Sequence, residues 1–270
     1  MTQTGSLPEV EARPAATVLL LRDRQDGGVE VHLQQRRPEM DFAGSAFVFP
    51  GGSVDCGDAE DESLASLRSV DLSSAAARMH LDGDDAGRRL CAALHLCAVR
   101  EVFEEAGLLL AVGSGDATHL DAAAVMSARQ RVTQGASLSG ELSAMGLRAH
   151  VEALHYVAHF VTPVGRPRRF DTRFFATRPP EGQVDAFHAA EAQLGGWFAP
   201  GDMLRRQRLG EVFLMPPTQV MLAELERHGD VDSALASLGS RPVASTLYTL
   251  EDLRHPLPDH LPGPEELASG

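Results

Sequence analysis

Three glutamates lie within five residues, Glu101, Glu104 and Glu105, directly after Arg100. At i, i+3 and i+4 on a helix they share one face, with neighbouring Cβ atoms about 5–6 Å apart. Like charges so placed repel by a few tenths of a kcal/mol per pair when exposed. A hard divalent cation turns that repulsion into attraction. Mg²⁺ takes carboxylate oxygens and keeps its other positions for water or substrate phosphate. Arg100, four residues before Glu104, can hold one carboxylate through a charge-assisted fork. The competing reading is a solvated acidic helix face. Gly107 just after the cluster and the run Phe49-Pro50-Gly51-Gly52 upstream weigh against it.

The elements that must position this cluster can be read from the pattern of residue types. Residues 85–106 read as one long helix with Gly107 as its stop. Residues 15–22 are an apolar run closed by the turn signal Asp26-Gly27-Gly28. Residues 29–35 then alternate Val29, Val31 and Leu33 against Glu30, His32 and Gln34, so they read as a half-buried strand paired with the first. Residues 46–49 are a short apolar piece. Residues 55–87 are acidic, with weak helical pieces. Further strands are expected at 108–112, 154–162, 170–177 and 194–198. Further helices are expected at 121–133, 139–146, 200–207 and 217–227. Strands and helices mix without regular βαβ alternation, which points to an α/β sandwich with a mixed sheet.

Composition bounds the function. The chain has 270 residues, 43% hydrophobic and 23% charged, ordinary values for a globular protein. The net charge of −14 argues against a nucleic-acid backbone binder and a basic membrane-surface protein. Lys, Ile and Asn are absent, so all 24 cations are Arg. Schiff-base chemistry and a P-loop lysine are therefore excluded. Cys56, Cys91 and Cys97 are few, odd in number and not in metal spacing, which fits a reducing compartment. No apolar run approaches the roughly 20 residues of a membrane span. No basic-then-apolar leader is visible, and the terminal Ala-Ser-Gly is not a peroxisomal address. The expected compartment is the cytoplasm.

The sequence Arg100-Glu101-Val102-Phe103-Glu104-Glu105-Ala106-Gly107-Leu108 resembles the second half of the Nudix box, and Phe49-Pro50-Gly51-Gly52 resembles its start. The family pattern places a Glu after five further residues, where this chain has Asp58. Seven residues then lead to the Arg-Glu pair in the family; here 41 separate Asp58 from Arg100. The box is thus interrupted by an insertion, about 59–84. An interruption there resembles the coenzyme A diphosphatase subgroup. So do Trp197-Phe198, the stretch 169–175 and the stretch 213–219.

The resemblance implies a Nudix-type α/β/α sandwich with a mixed β-sheet, over about 14–230, plus the insertion and extra helices. A flexible N-terminus would cover 1–13, and a C-terminal helix with a Pro-rich tail 231–270. It further implies hydrolysis of a nucleoside diphosphate-linked substrate with Mg²⁺ or Mn²⁺. Glu101, Glu105 and Glu104 would hold the metal, with the Gly52 carbonyl as a further ligand and Arg100 in the catalytic set. Coenzyme A or an acyl derivative is the substrate expected first. NADH, ADP-ribose, dinucleoside polyphosphates and a catalytically silent ligand-binding protein are the alternatives. The partner is a small nucleotide-type molecule, with no nucleic acid and no membrane, and the protein is a monomer or homodimer.

Arg36, Arg37, Arg169 and Arg173 are candidates for gripping phosphate, since guanidinium binds it bidentately. The alternative for each is surface solubility. Glu191 is the outside candidate for a general base. Residues 59–84 are expected to form an appendage at the active-site rim. Phe170, Phe174 and Phe175 read as core before adenine stackers. His155 and His159, four apart in a strand, should face one side, as packing before metal ligation. Cys91 and Cys97 read as small core residues.

Overall fold

The computed structural model describes residues 10–39, 44–67, 70–113, 121–188 and 192–247. In chain order the strands and α-helices are β1 Arg13–Asp23, β2 Val29–Arg36, β3 Ala46–Val48, β4 Gly51–Ser53, α1 Asp61–Ala65, α2 Leu72–Arg78 and α3 Asp85–Glu101. Then come β5 Ala111–Gly113, α4 Ala122–Thr133, α5 Leu138–Ala144, β6 Leu147–Ala149, β7 His155–Val161, β8 Phe170–Thr177 and β9 Ala192–Phe198. The last are α6 Pro200–Arg208, β10 Phe213–Leu214, α7 Pro216–Leu225, α8 Val231–Ser240 and β11 Ser245–Leu247.

The apolar run of β1 is buried on both sides. Ala16, Val18 and Leu20 face one core, and Leu19 and Leu21 face the other. That is the pattern of a strand covered on both faces. The first core is completed by α3, α4 and α5 and the second by α6, α7 and α8, giving the α/β/α sandwich. The sheet is mixed. β1–β8, β3–β10 and β7–β11 are parallel, and the other pairings are antiparallel.

Strands β1 and β2 pair only near their turn, at Leu21↔Val31, Arg22↔Glu30 and Asp23↔Val29. Beyond that they separate. β4 takes the freed edge of β1, at Ala15↔Ser53 to Thr17↔Gly51, and β3 pairs with β2 at Gln34 and Gln35. The Pro50-Gly51-Gly52 segment therefore crosses the split, against α3.

Several expectations need correction. β2 is not half-buried, because His32 and Gln34 are as enclosed as Val31 and Leu33. The stretch at 108–112 forms a strand only from Ala111, where β5 pairs with β6, and β6 was not foreseen. His155 and His159 do not share a side. The register of β7 shifts between Tyr156 and Ala158, and an extra residue in a strand reverses the facing of the residues after it. His155 is exposed and His159 buried. Residues 1–9 and 248–270, parts of the expected flexible terminus and tail, lie outside the described residues. Earlier in the tail, β11 extends the sheet beside β7.

The insertion is not an appendage. Leu67, Ala76 and Met79 are buried in the α3-side core with Cys91, Leu94 and Tyr156. Asp71 caps α2 by accepting from Ser73 N at 3.0 Å, and His80 Nε2 lies 2.8 Å from the Val243 carbonyl. The insertion supplies apolar surface that α3 would otherwise expose. Leu67→Ala is expected to cost about 2–5 kcal/mol, and a Gly/Ser linker in place of 59–84 should cost more. Urea unfolding measures both, and wild-type midpoints would contradict the assignment.

Burial also lowers the pKa of two enclosed histidines. Desolvation is the main cause for His32, opposed by Asp185, and for His95, opposed by the Cys91 carbonyl. Both therefore favour the neutral form in the fold. The unfolded chain binds more protons just below the ordinary histidine value, so this contribution is present above about pH 6.5 and falls with acidification. The melting temperature should drop between pH 7.5 and 5.5, and His95→Leu should flatten that slope. An unchanged slope in His95→Leu would remove this residue from the account.

Among the described residues no helix is long and apolar enough to cross a membrane.

Candidate active site

The long helix delivers the acidic cluster at its C-terminal end. Asp84 caps its start, accepting from Gly87 N at 2.8 Å. From Val102 to Ala106 the helix widens into a π turn, a local departure often found at functional sites. Glu104 and Glu105 lie on that turn, so their relation to Glu101 is not the plain α-helical one. Gly107 ends it at φ 72°, a left-handed conformation that favours glycine. Arg129, on α4, covers the end. Its guanidinium donates to the Glu104 carbonyl at 2.7 Å and the Ala186 carbonyl at 2.6 Å. A cation on the terminal carbonyls also complements the helix dipole.

Arg100 is the hub of the cluster. It is buried and donates to Asp58 through Nε at 3.0 Å and Nη2 at 2.9 Å. Nη1 donates to Glu101 at 2.8 Å and Glu104 at 3.2 Å, and Nη2 to the Ser53 carbonyl at 3.0 Å. Burial alone would lower the Arg100 pKa, but the Asp58 and Glu101 carboxylates outweigh it and raise it. Burial is also the main influence on Asp58 and pushes its carboxyl up against the pull of Arg100. Asp58, the replacement for the expected Glu, thus holds the arginine that holds Glu101 and Glu104.

Glu105 is oriented from the sheet. Its Oε2 accepts from the Gln34 side-chain amide and from Gly51 N at 2.8 Å. Gly52 presses against Glu101: a Cβ there would lie 2.6 Å from Glu101 Cδ. A side chain there would displace the Glu101 carboxylate, and the Gly52 carbonyl accepts from Cys97 Sγ at 3.6 Å. The cluster supplies carboxylate oxygens, which suit a hard divalent cation, and the close Gly52 backbone fits the same role. The side chains as arranged are turned to protein donors. Among the described residues no group of three ligating side chains converges on one point.

A cleft of about 390 Å³ opens beside Arg100, lined by Asp55, Asp58, Leu96, Val132, Ser137 and Leu138 among others. A larger cavity of about 510 Å³ lies by α6 and the end of α7 and contains none of the acidic cluster.

The other predicted residues divide. Arg36 follows Gln34 on the same face of β2, half-buried, with Nε enclosed and without a hydrogen-bond partner among the described residues. Arg37 is exposed. Arg169 is buried and donates to the Thr162 carbonyl at 3.0 Å and the Val10 carbonyl at 2.8 Å, so it ties chain segments together. Arg173 is buried and paired with Asp171. It lies within electrostatic reach of Cys91, ten residues before Glu101, about 15 Å of helix. Asp171 also meets His159, whose Nδ1 lies 2.6 Å from Ser245 Oγ. This network joins β7, β8 and β11, and it leaves Arg173 Nε enclosed without a hydrogen-bond partner among the described residues. Glu191 lies outside the described residues. Phe174 and Phe175 are core. Cys91 and Cys97 are core too, with thiol pKa raised by burial, to about 12 for Cys91.

The sequence reading missed Gln34 and Arg129. Gln34 alternates with apolar residues and so resembled a solvent-facing position. Its signal was being polar in a strand that ends beside Phe49-Pro50-Gly51. Arg129 looked like one more arginine on an amphipathic helix.

Known proteins resemble this chain over most of its length. The family model described as the NUDT19 Nudix domain matches residues 12–227. The acyl-coenzyme A diphosphatase NUDT19 of Gallus gallus is 31% identical over 232 residues, covering 73% of this chain and 61% of that protein. Its Homo sapiens counterpart is 29% identical over 239 residues, covering 76% and 63%. The chain thus spans about three fifths of the length of these curated relatives. A crystal structure of a Nudix hydrolase from Alicyclobacillus acidocaldarius superposes with a TM-score of 0.68 at 30% identity, covering 86% of this chain and 99% of that one.

Proposed function

Because the chain belongs to the Nudix hydrolase family, we propose that it hydrolyses the diphosphate of coenzyme A or acyl-coenzyme A, giving adenosine 3′,5′-bisphosphate and a phosphopantetheine. The observation that carries this is the Arg100–Glu101–Glu104–Glu105 cluster against Gly51 and Gly52. The relatives named acyl-coenzyme A diphosphatase support the choice of substrate. Nudix hydrolases generally use divalent metals. Here Glu101, Glu104 and Glu105, with the Gly52 carbonyl, would hold Mg²⁺ or Mn²⁺. A bound metal neutralises diphosphate oxygens and lowers the pKa of water.

The protein's own residues do the rest. Arg100 orients Glu101 and Glu104 and is fixed by Asp58. Gly51 N holds one oxygen of Glu105. Arg36 offers an enclosed guanidinium nitrogen to an anionic oxygen, with Arg37 beyond it at the surface. Glu191 is retained as the candidate general base. We read the protein as a cytoplasmic enzyme, monomeric or homodimeric.

Arg36→Ala should lower kcat/KM for coenzyme A by about 10- to 150-fold, the cost of one charge-assisted contact of roughly 1.5–3 kcal/mol. Arg173→Ala should reduce stability, because Asp171 loses its guanidinium partner and keeps His159, and should leave substrate preference unchanged. Steady-state rates on coenzyme A, dephospho-coenzyme A, NADH, ADP-ribose and a dinucleoside polyphosphate test the assignment. Coenzyme A is expected to have the highest kcat/KM. A higher value on NADH or ADP-ribose would overturn the substrate.

A further inference from the structure

The inward side of β2 carries polar residues where a sheet of this kind ordinarily buries apolar ones. His32, Gln34 and Arg36 alternate along it, so they point to one face. Gln34 is 2% exposed. Its amide nitrogen donates to Glu105 Oε2, which fixes the orientation of the amide. The amide oxygen is then enclosed with no hydrogen-bond partner among the described residues. The next inward residue, Arg36, has an enclosed Nε in the same condition. A buried polar atom left unsatisfied costs roughly 1–3 kcal/mol. An acceptor and a donor, both unsatisfied on successive inward positions, call for a ligand that brings one of each.

We propose that Gln34 is a positioning residue of the reaction site: its amide nitrogen sets Glu105, and its amide oxygen accepts from a water or hydroxyl that arrives with the phosphoryl group. Arg36 Nε donates to an oxygen of the same group. Glu105 has Gly51 N on the same Oε2, so two neutral donors hold that oxygen and help set the side chain's rotamer. Neither donor carries a charge that would compete with a metal. The proposal rests on the reading of Glu105 as a metal-holding carboxylate.

The test uses the full chain with Gln34→Met, which keeps approximate length and removes donor and acceptor together. Mn²⁺ binding without substrate, kcat and KM are measured per folded molecule. Mn²⁺ is expected to bind about tenfold more weakly and kcat to fall about 10- to 100-fold. KM for coenzyme A should change less than kcat. If Gln34→Met does not fold, Gln34→Asn keeps the amide one methylene short of Glu105 and should show the same two losses.

Wild-type Mn²⁺ affinity and kcat in the folded variant would overturn the proposal. So would a loss of activity that only tracks the folded fraction. Glu105→Gln in the same series separates the two levels. If Glu105→Gln weakens Mn²⁺ binding and Gln34→Met does not, only the role of Gln34 falls. If Glu105→Gln also binds Mn²⁺ normally, the parent reading falls with it.

Discussion

Glu105→Gln is expected to lower kcat by about two to four decades, the scale of losing a main electrostatic or proton-transfer contribution. The substitution keeps size and removes charge. Its amide oxygen can still accept from Gly51 N and Gln34, the donors that hold Oε2 in the wild type. The fold should therefore be little affected, and relief of repulsion with Glu101 and Glu104 should offset part of any loss. The decisive comparison is turnover at saturating Mg²⁺ beside urea stability. Near-wild-type kcat would remove Glu105 from the site, whereas a collapse in stability would recast it as structural.

Arg100→Met should strongly reduce stability. It leaves the Asp58 carboxyl, 3% exposed, without the guanidinium that meets both its oxygens. Breaking a buried ion pair from one side costs about 3–5 kcal/mol. The cost should be smaller at pH 5 than at pH 8. Burial raises the Asp58 carboxyl, so its protonated form is tolerated in the fold, and that relief is lost as pH rises. Adding Asp58→Asn should recover part of the loss, and the double-mutant cycle gives the coupling. Activity should not recover, because Glu101 and Glu104 lose the nitrogen that orients them. Full additivity of the two substitutions would contradict the pair.

The parts legible in the sequence are those where spacing itself dictates position. Arg100 does reach Glu104, as the i, i+4 relation requires. Gly107 does end the helix, in the left-handed conformation. The sandwich followed from the mixture of apolar runs and helical patterns. What was hidden depends on contacts between distant segments. Gln34 meets Glu105 across 71 positions, and no local pattern records that. The insertion looked peripheral because its composition is acidic, yet Leu67 and Met79 are enough to anchor it in the core. The register shift in β7 moved His155 and His159 to different sides, and a period-two reading has no means of seeing an extra residue. Arg173 read as a candidate for gripping phosphate, and its pairing with Asp171, two residues away on the same strand, emerges only from the side-chain geometry.

The most direct measurement is product identification by mass spectrometry after incubation of the full chain with coenzyme A in ¹⁸O-labelled water, with Mg²⁺ and with a chelator. The expected products with Mg²⁺ are adenosine 3′,5′-bisphosphate and phosphopantetheine, one of them carrying a single ¹⁸O, and with the chelator coenzyme A should stay intact. Unchanged coenzyme A in the presence of Mg²⁺, or cleavage at any bond outside the diphosphate, would contradict it.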